Sequence, residues 1–183
     1  MKLMIASDIH GSAFYCAKLV EAVDREKPDK LLLLGDILYH GPRNDLPKEY
    51  SPKQVAAMLN RLSDKILCVR GNCEAEVDQM MLDFPVLADY AYLYIDGQTF
   101  LASHGHIFNE SNPPKLARGS ILLNGHTHVP RYAEYENYTY VNCGSVSIPK
   151  ENTPHSYVIF EENALYWKKL NGEIYDSVKL FEE

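Results

Sequence analysis

Two aspartates, four histidines and one asparagine are candidate metal ligands, and they stand in five short segments of this chain, each beside a glycine or directly after an apolar run. The segments are Asp8-Ile9-His10-Gly11, Gly35-Asp36, Gly71-Asn72, His104-Gly105-His106 and Gly125-His126-Thr127-His128. All seven donors offer N or O, and none is a thiolate. Such a set suits a borderline divalent metal such as Mn, Fe, Co or Zn, and disfavours a closed, Cys-rich structural zinc site. Asp8 and His10 alternate across one residue, so on an extended segment they need a twist to meet one ion, which Gly11 permits. Asp36 has two oxygens and is able to bridge two ions, while His126 and His128 can serve one each. Taken singly these signals are weak: Asp36 alone can cap a helix and Asn72 alone can sit in a turn. Five of them together, each placed by an apolar run, point to one site holding two metals.

The runs that must position them are Leu3–Ala6, Leu31–Leu34, Ile66–Val69, Phe100–Ala102 and Ile121–Leu123. Each is short and strand-like, which puts every candidate ligand just past a carboxyl end, where open α/β sheets bind ligands. Residues 13–26 carry Ala13, Cys16, Ala17, Val20 and Val23 at helical spacing. Ser12 is placed to cap that helix and Pro28 to stop it, so the first two strands and the helix form a right-handed βαβ unit. Residues 37–52, with Gly41, Pro42, Pro47 and Pro52, read as a loop after a ligand strand, where lids and specificity loops sit. Ser51 and Pro52 open a second helix through Val55, Met58, Leu59 and Leu62, and residues 74–82 form a short third one. Asp96-Gly97 and Asn171-Gly172 predict hairpins, the second leading into a strand over Glu173–Phe181. Further strands are expected at Tyr138–Asn142, Tyr157–Phe160 and Leu165–Leu170. Ile107–Gly119 reads as a loop with a short helix. A helical half and a strand-rich half feeding one ligand edge predict an α/β fold of two stacked mixed sheets flanked by helices, a four-layer α-β-β-α sandwich in one domain over residues 1–183.

The 183 residues, 46% hydrophobic and 23% charged, suffice for a core without disulfides. The four cysteines show no CxxC pairing, and Cys16, Cys68 and Cys143 read as buried thiols. With no signal-peptide pattern and no long apolar segment, a reducing, cytoplasmic setting without membrane contact is expected. The formal charge of −7 disfavours a duplex nucleic-acid partner, which calls for a basic stripe. A phosphate substrate remains compatible, because two divalent ions would outweigh the two aspartates locally.

Asp8-x-His10, Gly35-Asp36, Gly71-Asn72, His104 and Gly125-His126-x-His128 resemble the signature of calcineurin-like metallophosphoesterases. The short length resembles the small prokaryotic branch, the YfcE-type phosphodiesterases. The resemblance spans residues 1–150. It implies that Asp8, His10 and His128 hold one metal, that Asn72, His104 and His126 hold the other, and that Asp36 bridges both. Mn2+ is the expected ion, with Zn2+, Fe2+, Co2+ or Ni2+ as substitutes. The implied reaction is hydrolysis of a small-molecule phosphodiester by in-line attack of a metal-bridging hydroxide, with Asp36, Asn72, Cys73 and His104 as the catalytic set. Asn72 is also placed to donate its amide N–H to a phosphate oxygen. Asn142-Cys143-Gly144-Ser145 takes the place of the family's Asn-Pro-Gly-Ser loop.

The chain departs from the family at Cys73. Much of the family has His there, placed to protonate the leaving oxygen. A thiol of ordinary pKa about 8.5 is a poorer partner for an alkoxide, so a preference for aryl over alkyl esters is expected. The plainer reading of Cys73 is a small buried residue without chemistry. His106 reads as hydrogen-bonding support for the ligands, His40 as substrate contact or solvated, and His155 as structural. Arg43, Lys48, Lys115 and Arg118 are candidates for phosphate contact, and Tyr132, Tyr135, Tyr138 and Tyr140 for strand packing or a homo-oligomer interface. A dianionic monoester would recruit an Arg beside the metals, and none of the five motifs carries one. A diesterase is therefore preferred to a phosphomonoesterase or nucleotide phosphatase. A protein-binding scaffold of the same fold is the reading from another class.

Overall fold

The computed structural model describes residues 1–180, so the last residue of the expected final strand, Phe181, and the end of the 1–183 range lie outside it. Strands β1 (Leu3–Ala6), β2 (Lys30–Leu33) and β3 (Ile66–Cys68) run parallel and extend, through β9 (Ser156–Glu161), β10 (Ala164–Lys169) and β11 (Ile174–Lys179), into a six-stranded mixed sheet ordered β11-β10-β9-β1-β2-β3. A second sheet holds β4 (Tyr90–Ile95), β5 (Gln98–Ser103), β6 (Ser120–Asn124), β7 (Arg131–Glu134) and β8 (Tyr138–Asn142) in the order β4-β5-β6-β8-β7. Its middle strands β5, β6 and β8 are parallel. Asp96-Gly97 and Asn171-Gly172 turn the β4–β5 and β10–β11 hairpins, as their sequence predicts.

Alternation along the central strands assigns each side chain to a layer. Leu3, Ile5, Leu32, Leu34, Phe100, Ile121 and Phe160 face inward between the sheets, where Phe100 and Phe160 meet edge to face at 4.9 Å. Met4, Ala6, Leu31 and Leu33 face outward against α1 (Ala13–Glu26) and α2 (Pro52–Asn60). Ser12 caps α1 by accepting the Tyr15 N–H at 3.3 Å. The helix ends at Glu26, as the 13–26 spacing and Pro28 predict, with Lys27 in the left-handed conformation and its N–H on the Val23 carbonyl. A third helix, α3 (Glu76–Gln79), lies within the expected 74–82 segment.

One expectation fails. Ile107–Gly119 contains no helix among the described residues. Pro113 and Pro114 withdraw two backbone donors, and the Asn109 side chain accepts the N–H groups of Ser111 and Asn112 at 3.0 Å each, closing a turn instead. That irregular segment, through Leu116, covers the outer cluster Leu101, Leu122 and Tyr140 of the five-stranded sheet. β7 has no counterpart in the expected strands, although the tyrosine packing read there is present: Tyr140 is buried and Tyr135 stacks on Tyr138 at 4.8 Å. No described helix is long and apolar enough to cross a membrane.

Candidate metal centre

Parallel pairing aligns the carboxyl ends of β1, β2 and β3 in one sheet and of β5 and β6 in the other. The turns after these five strands carry Asp8 and His10, Asp36, Asn72, His104, and His126 and His128, in that order. The turns are sharp. Asp8, His10, Asp36, His126 and His128 all take left-handed backbone angles, with φ between 50° and 65°. Gly11 does so as well, at φ 74°, and a Cβ there would collide with the Leu38 carbonyl oxygen and the Tyr50 ring. The expected twist is therefore not carried by Gly11 alone. Left-handed angles at both residues of Asp8-x-His10 and of His126-x-His128 break the extended geometry there, and Asp8 Oδ1 comes within 3.5 Å of His10 Nε2. Each costs about 1–2 kcal/mol for a residue with a Cβ, less for Asp than for most.

Three imidazoles are set by backbone carbonyls. His10, His104 and His128 each donate Nδ1–H, to Tyr39 O at 2.9 Å, Leu34 O at 2.7 Å and Ile148 O at 2.7 Å. That choice of tautomer leaves each Nε2 as a lone pair directed into the site. The lone pairs face one another and the carboxylates: His10 Nε2 lies 3.2 Å from His128 Nε2, and His128 Nε2 lies 3.1 Å from Asp8 Oδ1. On the other side, His104 Nε2 lies 3.1 Å from both Asn72 Oδ1 and His126 Nδ1. His126 thus turns its Nδ1, not its Nε2, toward the site. Asp36 Oδ2 stands between the two groups, 3.6 Å from His10 Nε2 and 3.5 Å from His104 Nε2.

A cluster of acceptors without a donor between them demands positive charge. Asp8 Oδ1 is buried and receives no hydrogen bond. Burial opposes protonation of His104, yet the carboxylates of Asp36 and Asp8 draw its pKa up to about 9, and they raise His10 too. Burial works against the charged forms of Asp8 and Asp36 as well, and the imidazoles overcome it, holding both below the usual carboxylate range. Burial and the charge of His104 push His126 down to about 4, which keeps its ring neutral and its lone pair available. A divalent cation meets the same demand as these protons, so the donor set and its orientation fit a metal. Ligand atoms of Asp8, His10 and His128, and of Asp8, Asp36 and His104, lie within 4.8 Å of one another.

Of the residues that hold this arrangement, Asn142 and Ser145 stand in the loop singled out from the sequence, whereas Glu74 and Ser147 do not figure among its candidates. Glu74 is buried and accepts three backbone N–H groups, from Gly71 at 2.5 Å, Asp36 at 2.8 Å and Ile37 at 2.7 Å, so one carboxylate ties together the turns after β2 and β3. Burial and the nearby Asp36 charge raise its pKa to about 7 against the pull of those donors. Its place directly after Gly71-Asn72-Cys73 is its sequence cue. Ser145 and Ser147 both donate to the Asp8 carbonyl, at 2.9 and 3.0 Å. Asn142 donates to the Gly125 carbonyl at 2.7 Å, which gives the Asn142–Ser145 loop its place behind the turns.

The site opens into a cleft of about 380 Å³ lined by His10, Asp36, Asn72, Cys73, His126 and His128. Cys73 is half-buried, its backbone N–H donates to Asp36 Oδ1 at 2.9 Å, and burial with the nearby carboxylates drives its thiol pKa far up. The 37–52 loop supplies the rim, bringing Arg43 to the cleft; Lys150, absent from the candidates, also lines it. Lys48 turns away and lies 3.5 Å over the Phe14 ring, and neither Lys115 nor Arg118 reaches the cleft. His106 makes no hydrogen bond to a ligand; its ring packs 5.4 Å from His104 and its Nδ1 is buried without a partner. His40 sits between Tyr39 and Tyr50, off the cleft. His155 stacks on Tyr15 at 3.9 Å and donates to Val146, a structural role.

A family model described as the calcineurin-like phosphoesterase superfamily domain matches residues 1–164. The phosphodiesterase YfcE of Escherichia coli is 42% identical over 173 residues, covering 94% of either chain. The solved structure of that phosphoesterase superposes with a TM-score of 0.95 at 40% identity, covering 99% of this chain and 100% of that one. Two more distant structures share the fold: an archaeal phosphodiesterase at TM-score 0.62 and 18% identity, covering 97% and 99% of the two chains, and zinc-complexed Vps29 of Entamoeba histolytica at 0.63 and 17%, covering 99% and 100%.

Proposed function

The chain belongs to the calcineurin-like phosphoesterase superfamily, and from that premise we propose that it is a dinuclear-metal phosphodiesterase acting on small molecules. Residues 1–183 are read as one metallophosphoesterase domain. The observation that carries the reading is the convergence of seven N and O donors whose lone pairs confront each other across Asp36. Asp8, His10 and His128 would hold one ion, Asn72, His104 and His126 the other, and Asp36 both. Two divalent ions, Mn2+ first among them, supply activation of a water and neutralisation of the phosphoryl oxygens when bound.

The chain's own groups do the rest. The carbonyls of Tyr39, Leu34 and Ile148 keep the imidazoles in the ligating tautomer. Asn72 turns its amide N–H toward Cys73 Sγ, 3.3 Å away, a weak acceptor that a phosphate oxygen readily replaces. Cys73, held protonated, offers little help to a departing alkoxide, which favours aryl leaving groups. Four free cysteines support a cytoplasmic setting.

A second reading, phosphomonoester hydrolysis, is favoured by Arg43 and Lys150 on the cleft wall, which could hold the extra charge of a dianion. The scaffold reading draws only on the shared fold of Vps29, and the full set of seven donors argues against it. The test is Mn-loaded protein on bis(4-nitrophenyl) phosphate and 4-nitrophenyl phosphate. Diester turnover that disappears in His126→Ala supports the reading; activity on the monoester alone would reverse the order.

A further inference from the structure

Beside the cleft that holds the candidate ligands lies a second one, about 370 Å³, large enough for a ring-sized ligand. Its walls are Leu38, Tyr39, Tyr50, Cys73, Val77 and Met81, nearly all apolar. Tyr39, Val77 and Met81 are 42%, 59% and 40% exposed, so this apolar surface is open to solvent. Two charged side chains also line it, Lys53 and Asp78, and Asp78 accepts the Ala75 N–H at 2.8 Å.

The two clefts meet at one side chain. Cys73 lines both, with its backbone N–H on Asp36 and its Sγ within 4.8 Å of ligand atoms of His10 and Asp36. Tyr39 joins them as well: its carbonyl holds His10 Nδ1, while its ring forms the apolar wall. A side chain as small as cysteine at that junction leaves the passage wider than an imidazole would.

We propose that the apolar cleft beyond Cys73 is a substrate subsite that receives an aromatic or similarly apolar ester arm of the phosphodiester. The inference rests on the phosphodiesterase reading for the position of the phosphate. Continuity with the candidate metal centre sets the occupant: this cleft shares its Cys73 wall with the cleft that opens onto Asp36. An aryl ring covers the exposed walls of Tyr39, Val77 and Met81 and needs no polar partner from Lys53 or Asp78, which also line the cleft.

The test uses diphenylphosphinate and dimethylphosphinate, which carry the same monoanionic PO2 group and cannot be hydrolysed. Their dissociation constants are measured by calorimetry on the metal-loaded full chain. The diphenyl compound is expected to bind at least about ten-fold more tightly, from the apolar area it buries. In Val77→Asp/Met81→Asp, both at exposed positions, the ratio of the two constants falls to near one, and Val77→Leu keeps it. Equal binding of the two ligands by the wild type overturns the proposal, as does a ratio that the double Asp variant leaves intact. Self-association of the wild type that the double variant abolishes, with a ratio near one, overturns it in favour of a second copy of the chain on this face. Ester turnover is scored separately. Preference for the diphenyl compound without any hydrolysis supports the subsite and counts against the phosphodiesterase reading.

Discussion

The buried Glu74 carboxylate accepts the backbone N–H of Asp36 at 2.8 Å, so the residue at the centre of the donor cluster is held by its main chain as well as its turn. Neither partner is free to relax alone, because the same carboxylate also binds Gly71 and Ile37.

Replacing Glu74 with Ala strands three buried N–H groups and is expected to cost about 2–4 kcal/mol of stability. Metal affinity should fall about 10–100-fold, the usual effect of losing support behind a ligand. Glu74→Gln, which keeps one acceptor oxygen, should lie between. Denaturant unfolding and metal titration read the two effects apart, and an Ala variant with unaltered metal affinity would remove Glu74 from any positioning role.

Metal loading should be visible as stability. Mn2+ at about 100 times its dissociation constant adds about 2.7 kcal/mol to a state that binds it only when folded. For a domain of this size that raises Tm by about 5–10 °C. A chelator should reverse the shift and abolish hydrolysis together. In Asp36→Asn, hydrolysis should drop by more than about 100-fold and most of the thermal shift should be lost. A full thermal shift in that variant would contradict the bridging role.

Asn72 separates two duties. If its oxygen is a ligand, Asn72→Ala loses metal; if only its N–H acts on phosphate, the variant keeps metal and loses kcat. With Asn72 Oδ1 3.1 Å from His104 Nε2, loss of metal is the expected result by calorimetry.

Cys73→His should favour poor leaving groups. The wild type is expected to hydrolyse phenyl esters much faster than methyl esters, and the imidazole, as a general acid, to narrow that gap by at least about ten-fold. Equal wild-type rates on phenyl and methyl esters would sink the argument.

Away from the site, Glu26 anchors the end of α1 to β10. Its carboxylate accepts from Lys168 at 2.6 Å and Tyr157 at 2.8 Å. Burial tends to raise its pKa, but these partners hold it below the ordinary value of 4.5. A carboxylate with a lowered folded pKa stabilises the fold above its unfolded pKa. That contribution is whole above pH 4.5 and disappears as pH falls through the lower, folded value. Glu26→Gln should cost about 1 kcal/mol at neutral pH and flatten the acid limb of a Tm-against-pH curve. An unchanged acid limb would show that the contact contributes nothing.

Much of this was legible in the chain because period and turn chemistry are local. Residues 13–26 form the helix their spacing predicts, and both Asp96-Gly97 and Asn171-Gly172 turn hairpins. The seven donors announced themselves by standing after apolar runs. What stayed hidden depends on distant partners. Glu74 looks like any surface acid until β2 and β3 pair and put two turns around it. Lys150 reaches the cleft only because the chain after β8 returns past His128. The helix expected in Ile107–Gly119 failed for the opposite reason, since two prolines and an Asn turn outweighed a weak helical pattern. The left-handed angles at Asp8, His10, Asp36, His126 and His128 leave no compositional trace, because Asp and His adopt them without becoming Gly.

β1 lies between β2 and β9, and Asp8 at its end is fixed by Ser145 and Ser147, more than a hundred residues away. The pairing that closes the centre is thus among the longest-range in the chain, and loop closure of that length is slow to form. A chain that has synthesised β1 to β3 owns Asp8, His10, Asp36 and Asn72 but none of the histidines from the second sheet. Metal capture and folding should therefore finish together, and recovery of activity on refolding should lag behind recovery of helical signal.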